Sequence, residues 1–328
     1  MNLKNKKVLV TGAGGFIGSH LAERLVRDGA KVRAFVHYNA LGKRGWLDHS
    51  DLASKMEFHA GDIADRGSVE KAMEGVDCVF HLAALIAIPY SYEALMSYVR
   101  TNIEGTLNIV ETARKFKTGR IVHTSTSETY GTALYVPIDE KHPLQGQSPY
   151  SASKIGADKI AESFHLSFGV PVVTVRPFNT FGPRQSARAV IPTIITQCLS
   201  GHKEIKLGSL HPTRDLNFVS DTVDGFVKAA SCDKAIGQTI NIGRGSEISV
   251  GELAEKIVRL CGSKAKIKTE SRRIRPKKSE VERLLADNTL ARKLLGWKPQ
   301  VSMDKGIETT IAWIADNLEK YRPRDYTV

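Results

Sequence analysis

The stretch Lys7-Val8-Leu9-Val10-Thr11-Gly12-Ala13-Gly14-Gly15-Phe16-Ile17-Gly18 decides the fold. An apolar, β-branched run stops at a glycine cluster, and a helical pattern follows from His20 to Arg27. Gly12, Gly15 and Gly18 recur every third residue. Glycines at that spacing allow a tight turn, let the backbone approach a pyrophosphate, and leave its charge facing a helix N-terminus. A lone glycine motif also suits an ordinary strand-to-helix turn; here the flanking strand and helix give the dinucleotide-loop context on both sides.

Working outward, short β-branched runs alternate with helical patterns as far as Arg176. Strands are expected at 7–11, 31–36, 55–59, 78–81, 120–125 and 171–176. Such alternation builds a parallel sheet with helices on both faces, a doubly wound Rossmann α/β fold. Beyond Arg176 the pattern loosens, with helices expected at 220–232, 249–261 and 303–318, and describes a smaller α/β lobe. Residues 1–178 therefore read as an NAD(P)-binding domain and 179–328 as mainly a substrate-binding lobe, with the chain crossing back between them. Substrate is expected between the lobes, at the carboxyl ends of the strands.

Composition sets limits. With 41% apolar and 25% charged residues over 328 positions, the chain has material for a buried core. No run reaches the roughly 18 apolar residues of a membrane span, and no signal-peptide core follows the basic start, so a cytoplasmic protein without a membrane partner is expected. Cys78, Cys198, Cys232 and Cys261 are too scattered for a metal site, and none is expected. The net charge of +12 attracts polyanions in general. Its basic residues are spread along the chain without an aromatic-interleaved motif, which argues against nucleic acid; a diphosphate ligand explains some of the charge equally well.

Two further patterns bear on chemistry. Tyr150-Ser151-Ala152-Ser153-Lys154 places a phenol and an ammonium at i and i+4 of a helix, facing the same way. The ammonium is expected to lower the phenol pKa toward that of a general base; by itself the spacing also suits a surface pair. A hydroxyl-rich strand end, Thr124-Ser125-Thr126-Ser127-Glu128-Thr129-Tyr130-Gly131, points its groups at the ligand crevice. Near the glycine loop, Asp62 either accepts from an adenine amino group or caps the helix that follows. Users of NAD carry an acidic residue at the end of the second strand, where this chain has His37. Arg33, His37, Lys43 and Arg44 tolerate a 2′-phosphate, so NAD and NADP both stay open.

Taken in order, the three motifs resemble the extended short-chain dehydrogenase/reductases over nearly the whole chain. The resemblance implies a hydride-transfer enzyme with NAD or NADP tightly bound and recycled, Tyr150 as base, Lys154 as its partner, and Thr126 bonded to the sugar. It places Gly12, Gly15, Phe16, Ile17, Gly18, His37, Asp62, Ile63, Leu82, Ala83, Ala84 and Asn102 around the cofactor with Tyr150 and Lys154. Asn179 is implied at the substrate diphosphate, Arg214 likewise, and Arg275 at the nucleotide ribose. Arg184, Arg188 and Arg275 suit a diphosphate, a nucleotide or a substrate carboxylate. Surface salt bridging is the plainer role for Arg214 and Arg275. Family members pair the helices here expected at 92–117 and 150–168 into a homodimer; the same helices also serve simply to cover the sheet.

Thr126-Ser127-Glu128 resembles the sugar-nucleotide 4,6-dehydratases of the GDP-mannose type and also the UDP-glucuronate decarboxylases. Oxidation at C4 acidifies the C5 proton, which Glu128 can take and return to the C6 hydroxyl as water leaves, with Ser127 orienting it. Hydride return to C6 then gives a 4-keto-6-deoxy sugar. The blocks His37-Tyr38-Asn39, Gly45-Trp46-Leu47-Asp48, Ile86-Ala87-Ile88-Pro89-Tyr90-Ser91-Tyr92 and Gly182-Pro183-Arg184-Gln185-Ser186-Ala187-Arg188 resemble the N-acetylglucosamine-nucleotide 4,6-dehydratases of the legionaminic-acid branch. A UDP- or GDP-N-acetylglucosamine substrate is implied. A UDP-glucuronate decarboxylase, a 4-epimerase and a non-catalytic NAD(P)-binding scaffold are the alternatives. The base of the nucleotide and the stereochemistry at C5 are not encoded in these motifs.

Overall fold

A computed structural model describes residues 1–321; the end of the second segment, 322–328, lies outside the described residues. The strands are β1 (Lys7–Thr11), β2 (Lys31–His37), β3 (Glu57–Gly61), β4 (Cys78–His81), β5 (Arg120–Thr124), β6 (Val172–Pro177), β7 (Asn179–Phe181), β8 (Glu204–Leu207), β9 (Thr213–Phe218), β10 (Thr239–Ile242), β11 (Glu247–Ser249), β12 (Lys266–Thr269) and β13 (Arg283–Leu284). The helices are α1 (Phe16–Arg27), α2 (Arg66–Met73), α3 (Ile88–Ser91), α4 (Leu95–Tyr98), α5 (Gly105–Phe116), α6 (Pro149–Phe168), α7 (Val190–Leu199), α8 (Val219–Ser231), α9 (Val250–Leu260), α10 (Thr289–Leu295) and α11 (Met303–Ala315).

Seven parallel strands form one sheet in the order β10-β6-β5-β4-β1-β2-β3. The expected doubly wound fold is present. Because β1 is followed on one side by β2 and on the other by β4, a crevice opens at its carboxyl end. Side-chain alternation explains the layers: Val8 and Val10 join the core under α1 and α8, whereas Leu9 joins the core under α2, α5 and α6. A third core, with Phe181, Ile194, Leu216, Leu253 and Ile307, builds the lobe around β7, β9, α7, α9 and α11. Strand β10 lies far along the chain yet pairs with β6.

Local signals set the helix that matters most. Ser148 and Ser151 form a reciprocal capping box at the start of α6, Pro149 occupies its first turn, and Gly169 closes it at φ 67°. Two expectations need correction. The helix read over 92–117 is broken into α4, a π-helical segment Val99–Glu104, and α5. Within that wide turn Asn102 is buried and its side chain is bonded to the backbone of Leu85, an arrangement that periodicity alone does not encode. Strand β3 starts two residues later than read, since Ala53–Lys55 forms a 3-10 turn.

Candidate active site

A cleft of about 930 Å³ runs along the carboxyl ends of the strands and between the main sheet and the lobe. Its first wall is the glycine loop. Gly12 sits at φ 67°, and a Cβ on Gly18 would meet the Gly12 carbonyl at 2.1 Å. Gly15 caps α1 without any side-chain bond, so the first backbone N–H groups of that helix stay available to an anion. Thr11 Oγ1 accepts from the N–H groups of Leu82 and Ala83, each at 3.0 Å. It also bonds His81 Nδ1 at 2.9 Å. This pins Leu82-Ala83-Ala84 beside the glycines. Phe16, Ile17, Gly18, His37, Leu82, Ala83 and Ala84 all line the cleft. This cradle fits a dinucleotide.

Asn39, Lys43 and Arg44 line the same end as His37. The Asn39 side chain holds their loop by bonding both the N–H and the carbonyl of Lys43, at 3.0 and 2.8 Å. Trp46 N donates to Gly14 O at 3.0 Å, which lays that loop over the glycines.

The candidate catalytic groups come from two elements. Thr126, Ser127 and Glu128 stand on the turn after β5, where Thr126 Oγ1 accepts from Glu128 N at 3.3 Å. Tyr150 and Lys154 come from the first turns of α6, and all five residues line the cleft. Tyr150 bonds Thr126 through its side chain, which favours the phenolate. Here the expected lowering of the Tyr150 pKa fails. Burial pushes the phenol up, and the nearby Glu128 charge adds to the rise. The Lys154 Nζ instead donates to Thr124 O at 2.6 Å. Burial brings Lys154 itself down to about 8, with the Asp158 charge opposing.

The substrate end is mixed. Asn179, Arg188, Arg214 and Arg275 line the cleft. Asn179 Oδ1 and Gln185 Oε1 are buried there without a hydrogen-bond partner, as groups that meet a polar ligand are. Glu280 holds Arg214 and Arg275 at 3.2 and 3.4 Å, so both arginines are fixed by one carboxylate inside the cleft. Arg273 also lines it and was not singled out by sequence. Its place among the basic residues of 264–283 was the available signal.

Four of the expected residues, Asp62, Ile63, Asn102 and Arg184, do not line this cleft. Arg184 adopts φ 70° and pairs with the buried Glu23 of α1 at 2.9 Å; it braces the 182–188 loop and does not line the cleft. Asn102 links Leu85 to Ser153 Oγ, the latter at 2.9 Å, behind the cleft wall. Asp62 is exposed and accepts from Ala64 N at 2.9 Å, while Asp65 takes the cap of α2. Ile63 is buried against Gly105. The two aspartates trade places because the chain turns once at Asp62 before α2 begins. Neither Asp62 nor Ile63 lines the cleft.

The four cysteines are free thiols, and no metal-binding cluster exists among the described residues. No helix among them is long and apolar enough to cross a membrane.

A glycine cradle on a doubly wound sheet, facing a tyrosine–lysine helix and a Thr-Ser-Glu turn, defines an extended short-chain dehydrogenase/reductase. The chain matches the GDP-mannose 4,6 dehydratase family over residues 9–310 and belongs to it. It is 33% identical to a dTDP-glucose 4,6-dehydratase of Actinoplanes sp., over 95% of this chain and 98% of that protein. A UDP-N-acetyl-alpha-D-glucosaminuronate decarboxylase of Bacillus cytotoxicus is 32% identical, with 95% and 98% covered. Among solved structures, a UDP-glucuronic acid 4-epimerase of Bacillus cereus, in complex with UDP-glucuronic acid and NAD, superposes with a TM-score of 0.87 at 29% identity, over 95% of this chain and 99% of that one.

Proposed function

We propose that this chain is a nucleotide-sugar 4,6-dehydratase acting on UDP- or GDP-N-acetylglucosamine, as in the legionaminic-acid branch that its sequence blocks resemble. One observation carries the reading. Among the described residues, Glu128 and Glu280 are the acidic residues lining the cleft; Glu280 is tied to two arginines, whereas Glu128 has no ion pair among them and lies close enough to Tyr150 to act on its charge. A carboxylate that is free, half-buried and beside the oxidation centre is what C5 proton abstraction requires.

NAD(P) is the cofactor, held by Gly12, Gly15, Gly18, His37 and Leu82 to Ala84, and it supplies reversible oxidation of the sugar at C4. Tyr150 takes the O4 proton, with Thr126 holding the hydroxyl and Lys154 supporting the phenolate. Glu128 removes the C5 proton and delivers it to the departing C6 hydroxyl, which Ser127 orients. Asn179, Arg188, Arg214 and Arg275 neutralise the diphosphate and hold the nucleotide. Residues 1–178 carry the cofactor side and 179–328 mainly the substrate side. The enzyme acts in the cytoplasm as a homodimer: Leu95, Met96, Val99, Phe116, Leu166 and Phe168 leave apolar surface exposed on α4, the π-helical segment, α5 and α6.

UDP-glucuronate decarboxylation is the second reading, favoured by the exposed Arg188 at the cleft. Incubation with UDP-N-acetylglucosamine, GDP-N-acetylglucosamine and UDP-glucuronate in heavy water separates the two. Loss of one water with deuterium at C5 from an amino sugar supports the dehydratase and names its nucleotide. Carbon dioxide from UDP-glucuronate, with both amino sugars untouched, refutes it.

A further inference from the structure

Tyr150, Lys154 and Asp158 follow one another at four-residue intervals on α6, and all three are buried. That spacing stacks them along one helix face. Tyr150 and Lys154 line the cleft, whereas Asp158 lies behind them. Strand residues satisfy its carboxylate. Oδ1 pairs with His123 Nε2 of β5 at 3.0 Å. Oδ2 accepts from Ser125 Oγ at 2.5 Å and from an Arg176 terminal nitrogen of β6 at 2.8 Å. Arg176 Nε also donates to Ser125 Oγ at 3.1 Å. Its guanidinium stacks 4.6 Å from the Tyr130 ring centre, and the Tyr130 hydroxyl donates to Asn241 of β10 at 2.8 Å.

Two consequences follow from this wiring. Ser125 immediately precedes Thr126, so one carboxylate joins the helix that carries the phenol and ammonium to the turn that carries Thr126, Ser127 and Glu128. A buried carboxylate stays ionised only where donors and cations replace its water. For Asp158 burial pulls the pKa up, but the His123 bond and the Arg176 and Lys154 charges hold it well below the usual carboxylate range.

The second consequence concerns Lys154, whose Nζ has one hydrogen bond, to Thr124 O. Tyr150 stands one turn before it on the same face of α6; Asp158 of α6, His81 of β4 and His123 of β5 act on its charge, and Arg176 of β6 stands beyond Asp158. Burial disfavours the charged forms of His81 and His123, while Glu128 faces Tyr150 from the cleft and the buried Tyr98 ring lies 6.3 Å from the Tyr150 ring. Asp158 is thus the charge that opposes the desolvation of Lys154.

We propose that Asp158 is a positioning residue of this site: it clamps the Tyr150–Lys154 helix onto the Thr126–Glu128 turn and supplies the negative charge that keeps Lys154 an ammonium. The proposal rests on Tyr150 and Lys154 serving C4 oxidation, and is independent of the step at C5.

The test is the pH dependence of cofactor reduction on mixing cofactor-loaded enzyme with each of the three nucleotide sugars, read as near-ultraviolet absorbance of the reduced nicotinamide. Asp158→Asn removes the charge and keeps the shape. The high-pH loss of rate should move to lower pH by about one unit or more, the shift an opposite charge at close range produces. The rate near neutrality should fall at least about tenfold, while the KM for the sugar changes little. Because that variant leaves Arg176 buried and unpaired, Asp158→Leu/Arg176→Met is measured beside it; exchanging both partners of a buried pair for apolar groups preserves folding, and it should show the same acidward move. A folded variant of either kind that keeps the wild-type pH limb overturns the proposal, even if its rates are uniformly lower. Lys154→Met at full rate overturns instead the reading beneath it, and the proposal with it.

Discussion

On the proposed reaction, Glu128→Gln should separate the elimination from the oxidation that precedes it. The glutamine amide has the shape of the carboxylate but cannot take a proton. The side chain carries no ion pair, and the turn is held through the Glu128 main-chain N–H bonded to Thr126, so the fold should lose no more than about 0.5 kcal/mol. A positioned general base is worth about 10²- to 10⁴-fold, so the dehydration barrier should rise by about 2.7–5.5 kcal/mol. Oxidation should respond differently. Burial is the main reason the Tyr150 phenol is raised, but the Glu128 charge contributes, so removing it should move the tyrosine limb of C4 oxidation to lower pH. The assay is a single turnover in heavy water with UDP- and GDP-N-acetylglucosamine. Reduced cofactor should accumulate, deuterium at C5 should be lost, and release of water should slow by the factor above. Dehydration at the wild-type rate would refute the assignment; equal loss of both steps at unchanged thermal stability would show that Glu128 serves C4 chemistry instead.

Three further outcomes are expected. Gly18→Ala drives a methyl to 2.1 Å from the Gly12 carbonyl, which should abolish retention of NAD(P) during gel filtration while denatured extracts of the wild type release it. Since burial lowers Lys154 to about 8, the unfolded lysine binds the extra proton between about pH 8 and the normal lysine value; this group's share of stability is therefore lowest below pH 8 and rises through that window. The ammonium needed for C4 oxidation is lost over the same rise, and Lys154→Met should erase that limb of the rate profile. Arg184→Ala leaves the buried Glu23 without its 2.9 Å partner and should lower stability by about 1–3 kcal/mol, raising the KM for the nucleotide sugar more than it lowers kcat because the braced loop carries Arg188.

What could be read from sequence was what lies in local spacing. The glycine loop, the Tyr150–Lys154 pair and the Thr126-Ser127-Glu128 turn each depend on neighbours within a few residues, so their pattern survives without the fold. Arg184 did not, because its left-handed backbone aims the guanidinium at α1, and sequence shows residue type without direction. For Asn102 the family motif names the residue, while its bonds to Leu85 and Ser153 follow from the π-helical turn. Asp158 was legible in principle, one helical turn beyond Lys154 on the same face; its meaning comes from His123, Ser125 and Arg176 on two other elements. The fall expected in the Tyr150 pKa failed for a related reason, since burial is a property of the whole fold and outweighed a favourable interval on one helix.

The bonding of the site also explains how one scaffold hosts dehydratases, decarboxylases and epimerases. Behind the cofactor wall and along α6, the buried Thr11, Lys154 and Asp158 are cross-linked: Thr11 to His81 and to Leu82 and Ala83, Lys154 to Thr124, and Asp158 to three partners. Changing any of them exposes an unmet charge or donor, which costs about 1–5 kcal/mol of a marginal stability. Glu128 has no such obligations, being half-buried and without an ion pair on a short turn whose frame is main-chain bonding. On the proposed reaction, the contribution of Lys154 and Asp158 to C4 oxidation is therefore the part of the chemistry that the fold resists altering. The fate of the oxidised sugar rests on the side chains that project from that turn into the cleft, and these can be exchanged at little cost in stability.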